Sequence, residues 1–304
     1  MCWAGRPAQH PVLPCGPLPT LVQEADPDLT GPATGDPDGG TGARTRTVRS
    51  RDTVSAILVV LALGLALRLI IAYLVPGSGF AQDRTAFTFW ASDLALNGPF
   101  GFYDRPFFHD YTPGYLYVLW AVGLAGQALG GIGDLLKVPP ILADLSLAYL
   151  VWSMALELGI GRRRALVAAA IVVVNPAIWF DSVIWGQVDS FGVVFLLLAM
   201  RELWRGRSER AAVLTVLAAI VKPQFGILVP LVAAVTIRRA LWPAGAHGDE
   251  PDPERRATTT DWEVRTGGWT RIATTGAAGA LTAVIVSAPF GLSIVDLITQ
   301  IGSA

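Results

Sequence analysis

Residues 54–75 read VSAILVVLALGLALRLIIAYLV, and no other feature constrains this chain as tightly. A helix of about 20 apolar residues matches the roughly 30 Å hydrocarbon core of a bilayer. Further apolar runs occupy 138–158, 165–180, 191–204 and 271–290. Only 15% of the 304 residues are charged, against about 25% in soluble domains. The expected fold is therefore all-α, a polytopic transmembrane helical bundle. The formal charge of −1 offers no concentrated basic face, so no nucleic-acid partner is expected.

Two polar stretches interrupt this pattern. Residues 1–50 are rich in Pro and Gly and too poor in apolar residues to fold alone, which predicts a disordered N-terminal tail before a membrane domain at 51–304. The tail lacks the basic start and apolar core of a signal peptide. Residues 240–270 read as a polar loop between membrane segments. Cys2 and Cys15 lie in the tail, and His10, His109 and His247 are isolated. With no metal-ligand spacing, neither a metal nor another cofactor is expected.

Basic clusters in membrane proteins stay cytoplasmic. Here they are Arg44/Arg46/Arg49/Arg51, Arg162/Arg163/Arg164, Arg201/Arg205/Arg207/Arg210 and Arg238/Arg239. Putting all of them inside leaves the mildly acidic 76–111 loop and the 181–190 loop on the outer face, with the N-terminus cytoplasmic. The chain must then cross an odd number of times between 112 and 158, with the Gly-rich 125–137 (AGQALGGIGDLLK) as a short arm returning Lys137 outward. Residues 211–237, flanked by Arg at both ends, become either a pair of short arms with Lys222-Pro223-Gln224 at the tip or one long helix kinked at Pro223. Backbone broken at membrane depth is tolerated only inside protein or against a cavity.

The first outer loop predicts its own helix. In AQDRTAFTFWASDLALNG (81–98), Asp83 suits an N-cap, Phe87, Trp90 and Leu94 share one face, and Asn97-Gly98 is a stop. Such an amphipathic helix can lie in the headgroup plane with Trp90 at the interface. The outer face then collects Asp83, Asp110, Lys137, residues 185–190, Lys222 and Gln224. An ionised group at the bilayer centre costs roughly 2.5–3.5 kcal/mol even on the lenient scale, so these polar groups demand a use. Carboxylates beside amides and ammonium groups suit a substrate that is anionic at one point and hydroxylated elsewhere. A lipid phosphate carrying a sugar fits, and so does a transported ion or anion.

An Asp soon after the first apolar helix (Asp83), HDYTPGYLYVLW (109–120), KVPPILADL (137–145), NPAIWFDSVIWGQVDSFG (175–192) and VKPQ (221–224) together resemble the GT-C superfamily over roughly 52–304. The likeness is to bacterial mannosyltransferase-like integral membrane proteins, and more distantly to dolichyl-phosphate-glucose glucosyltransferases. Thr112 departs from the family's usual Tyr-Pro-Pro, and relatives continue with several more membrane helices, so the chain is expected to be C-terminally truncated or one part of a split product.

The resemblance implies that Asp83 is the catalytic base, and that Arg84, Lys137 and Lys222 bind the donor phosphate. It further implies substrate contacts from Asp110 and Tyr111 of the Tyr-Pro loop, from Trp185, Gln187 and Asp189, and from Gln224 of the KPQ motif. Blander readings stay open: Asp83, Asp110 and Asp189 as helix caps, the lysines snorkelling to headgroups, and Asp181 solvated at the interface. The function implied is a glycosyltransferase on the extracytoplasmic side of a bacterial plasma membrane. It would move a sugar, with inversion, from a polyprenyl-phosphate donor to a glycan, lipid or protein hydroxyl. A transporter or flippase, or a catalytically silent fragment, is the alternative.

Overall fold

The computed structural model describes residues 41–242 and 268–303, all helix and connecting turn with no strand among them. The chain divides into 1–47 and 48–304. Of the first unit only 41–47 are described, as the start of a helix, so the tail expected over 1–50 is overtaken by helix from Thr41 onward. The rest of that tail, both cysteines, His10, and the 243–267 part of the polar loop with His247 lie outside the described residues.

The helices run α1 (Thr41–Leu74), α2 (Ala81–Asn97), α3 (Pro113–Leu129), α4 (Val138–Glu157), α5 (Arg162–Val174), α6 (Pro176–Trp179), α7 (Asp189–Trp204), α8 (Ser208–Val221), α9 (Val229–Leu241), α10 (Trp269–Ser287) and α11 (Ile294–Ser303). Four are long and apolar enough to cross a membrane: Ser55–Leu74, Gly133–Glu157, Pro223–Leu241 and Trp269–Phe290. A fifth span results if α5 and the segment Pro176–Trp185, bent by 42°, count as one. The run at 191–204 belongs to a helix of 16 residues, short of a span, whereas Pro223–Leu241, expected as a mere arm, has the length to cross by itself.

Contacts sort the bundle into two ends. At one, Arg201 and Arg205 pair with Glu157, Arg239 reaches Leu203 O, and Arg271 reaches Gly206 O. The start of α8, the end of α9 and the start of α10 therefore meet at this arginine end. Residues 208–241 are a hairpin rather than one kinked helix. Its break follows from Lys222, extended at φ −148°, and from Pro223, which lacks an N–H.

The opposite end carries a lid of two helices. The start of α2 faces Gln187 and Lys222, while Phe102, just beyond it, packs on Phe290 past the end of α10. α2 thus lies across the helix ends, but its apolar face, expected to lie in the headgroup plane, packs on protein instead. Phe87, Trp90 and Leu94 are buried, and the Trp90 indole donates to Phe108 O at 2.9 Å. The face packs on α3, where a side chain on Gly123 would collide with the Ala91 carbonyl.

α3 also differs from expectation. Gly114 sits against the end of α8, and the Tyr117 hydroxyl donates to Val286 O at the end of α10 at 2.9 Å, so α3 lies on the lid instead of starting a crossing. Only 130–137, not 125–137, returns toward α2, bringing Lys137 Nζ to 2.9 Å from Ser78 Oγ. The largest buried cluster, including Phe87, Trp90, Phe102, Tyr115, Leu116, Val188, Val221 and Phe290, lies beneath this lid. The clusters among the spans include the alanines Ala155, Ala165, Ala169, Ala211 and Ala212, in keeping with helix association in lipid through close approach of small residues.

Candidate functional site

A cavity of about 390 Å³ opens between the lid and the ends of the hairpin and α7. Asp83, Asp110, Tyr111, Asp181, Trp185, Gln187, Asp189 and Lys222 line it together with Phe87, Trp90 and Phe108. Seven of the candidate site residues read from the sequence therefore converge from four separate stretches of chain.

Gln187 is the hub. Its Nε2 donates to Asp83 Oδ2 at 2.7 Å, while its Oε1 accepts from Lys222 Nζ at 3.2 Å and from the Tyr111 hydroxyl at 3.3 Å. Only this amide orientation works, because a flip would set oxygen against carboxylate and NH₂ against ammonium. The Trp185 indole adds a second donor to Asp83 Oδ2 at 3.3 Å. Lys222 also pairs with Asp189. Burial holds the Tyr111 phenol above its ordinary range, so it stays a donor. Burial likewise raises the Asp110 carboxyl above its usual value, and the neighbouring Asp83 charge adds to this.

Local sequence explains these positions. Asp83 is not the cap of α2. The helix starts at Ala81 after Phe80, and Asp83 falls in its first turn, where an acid suits the helix dipole. Thr112 holds the N-cap position of α3 but caps nothing, since its hydroxyl donates to Ile220 O at 2.5 Å; Pro113 opens the helix as expected, and Asp110 is not its cap. α7 begins at Asp189 itself with no side-chain cap, and the Asp189 carboxylate goes to Lys222 instead. The π turn Phe180–Trp185 turns Asp181 into the cavity, so its expected position as a solvated interfacial group is corrected.

Three expected residues stand elsewhere. Gln224 is exposed in the 3-10 turn after Pro223. Arg84 and Lys137 do not line the cavity: Arg84 bonds to Gly77 O and both face Asp134, at 3.9 and 3.4 Å. The cavity itself holds four carboxylates to one ammonium. It is suited to hydroxyl-rich ligands, and the second cationic patch lies just outside it. No grouping of three or more His, Cys, Asp or Glu able to hold a metal occurs among the described residues.

Asp181 is joined by residues the sequence did not single out. Arg68, Asp144 and Ser182 are buried and bonded to one another beside the π turn. An arginine inside the most apolar run was the available signal. Compared with known family models, curated proteins and solved structures, the chain matches none.

Proposed function

We propose that the cavity is the reaction site of a membrane glycosyltransferase of GT-C type, mannosyltransferase-like, which transfers a sugar from a polyprenyl-phosphate donor to a hydroxyl acceptor. The observation that carries this reading is Asp83, oriented by Gln187 Nε2 at 2.7 Å and Trp185 Nε1 at 3.3 Å at a cavity wall shared with Lys222. Asp83 takes the acceptor's O–H proton, the acceptor oxygen bonds to C1 of the sugar, and the C1–O bond to phosphate breaks. The electron pair leaves with the lipid phosphate, whose charge is met by Lys222 or by the Arg84/Lys137 patch. A single in-line displacement inverts the anomeric centre. Gln187, Asp189 and Asp110 bind sugar hydroxyls, and Trp185 offers a ring face. The arginine end is cytoplasmic and the cavity extracytoplasmic, in a plasma membrane.

A second reading, transport of a lipid-linked or anionic substrate, is favoured by one observation: the Arg68–Asp144 pair buried between helices long enough to span. Membranes containing the protein and given a radiolabelled polyprenyl-phosphate sugar separate the two. Transfer to acceptor by the wild type and its loss in Asp83→Asn supports the enzyme. Transfer undiminished in Asp83→Asn rejects the base, and movement of label across the membrane without transfer supports transport.

A further inference from the structure

The segment 162–185 is the one bent span among the described residues, and its break has a chemical cause. Pro176 has no N–H to continue the ladder. One residue later, the Ala177 N–H is taken by the Asn175 side chain at 3.0 Å rather than by its helical acceptor, Val173 O. Arg68 of α1 supplies the missing donor: its Nη1 lies 3.2 Å from Val173 O. α1 comes close enough because Gly64 has no side chain; a Cβ there would stand 2.7 Å from Val173 Cγ1.

The same guanidinium works on the far side of the break. Arg68 Nε donates to Asp144 Oδ2 of α4 at 2.7 Å, and that oxygen also accepts the Ser182 hydroxyl from the π turn at 2.6 Å. Both charged side chains are wholly buried. We infer that Arg68 and Asp144 are positioning residues that staple the two sides of the broken span and so set where Asp181, Trp185 and Gln187 stand in the cavity wall.

Stability alone does not account for the pair. Arg68 Nη2 and Asp144 Oδ1 have no hydrogen-bond partner among the described residues, and a buried ion pair with unmet hydrogen-bonding capacity is no more stabilising than apolar residues of similar volume. What the pair does supply is direction. A carboxylate bonded to Ser182 fixes the π turn, three residues later Trp185 reaches Asp83, and two residues after that Gln187 reaches Asp83, Tyr111 and Lys222. The kinetic consequence rests on the reading of the cavity as a transfer site, whereas the geometric inference does not.

The test uses the full chain with Cys2 and Cys15 replaced by serine. One reporter cysteine is introduced by Val183→Cys, in the π turn and wholly buried, and in a second protein by Ala199→Cys, wholly buried in α7. Thiol-reagent labelling tracks local opening. Ser182→Ala, and the double apolar variant Arg68→Met with Asp144→Leu, are expected to speed labelling at position 183 by roughly tenfold while position 199 stays protected. Position 183 remaining protected in the double variant would overturn the inference, since the pair would then only balance charge. An equal rise at both positions would overturn it too, since the pair would merely hold the bundle together. Where transfer is measurable, Ser182→Ala is expected to lower kcat with KM little changed. If no transfer exists at all, the proposed reaction fails while the labelling result stands by itself.

Discussion

The molecule contains two aspartate–cation pairs on either side of one π turn, and they behave as different chemical objects. Asp189 with Lys222 stands in the cavity, with the Asp189 side chain 44% exposed. Asp144 with Arg68 is wholly buried between α1 and α4. Residue types are nearly the same, so the surroundings make the difference. Water at the cavity lets a charge exchange one partner for a substrate group at modest cost. Burial forbids that exchange, because an unpartnered charge in low dielectric costs several kcal/mol. The open pair can exchange partners, and the closed pair is fixed architecture.

Substitutions can break or sharpen that contrast. The largest effect is expected at the open side: Asp83→Asn removes the proposed base and should lower the transfer rate by about 10²–10⁴-fold, measured with labelled donor, with little change in thermal stability. At the closed side Asp144→Ala strands Arg68 and should destabilise by about 3–5 kcal/mol, read from denaturation in detergent, whereas Arg68→Met with Asp144→Leu should cost far less. Equal losses for the single and double variants would erase the distinction. Gly123→Ala forces the lid helices apart at Ala91 and should cost about 1–3 kcal/mol, with the cavity more reactive to polar thiol reagents at an introduced Phe87→Cys.

Two smaller effects probe the open side alone. Asp189→Asn should change stability by less than about 1 kcal/mol, because the pair is half open and Lys222 keeps Gln187 as acceptor at 3.2 Å. The last concerns pH. Burial, helped by Asp83, raises the Asp110 carboxyl in the folded protein. The folded state then holds more protons than the unfolded state between the ordinary carboxyl value and the raised one. Stability must therefore fall as pH rises through that window and recover as pH drops below it. Melting curves across the acidic range should show this slope in the wild type and lose it in Asp110→Asn.

Much of the lid and hairpin was legible in the residues. Phe87, Trp90 and Leu94 at helical spacing with Asn97-Gly98 behind them predict α2, and Lys222-Pro223 predicts the break. What α2 packs on was not legible, because periodicity reports an apolar face but not whether lipid or protein covers it. α3 escaped for a related reason: seventeen residues of high apolarity read as part of a crossing, and only contacts with the ends of α8 and α10 reveal a lid. Arg84 and Lys137 could be assigned to one face but not to a cavity, since charge topology sorts ends of a bundle without resolving distances of a few ångströms.

Taken by itself, the order of residues determined that this chain is helical and that several of its helices are apolar and long enough to cross a membrane, with polar groups set between them. Those conclusions follow from local terms: helix period, hydrocarbon thickness and the cost of a charge away from water. Only the tertiary structure decided that Gln187 links Asp83, Tyr111 and Lys222, that Asp181 faces inward, and that Arg68 and Asp144 meet across 76 residues. Each of those is a hydrogen bond between distant segments, whose strength depends on ångström-scale geometry that no one-dimensional pattern contains.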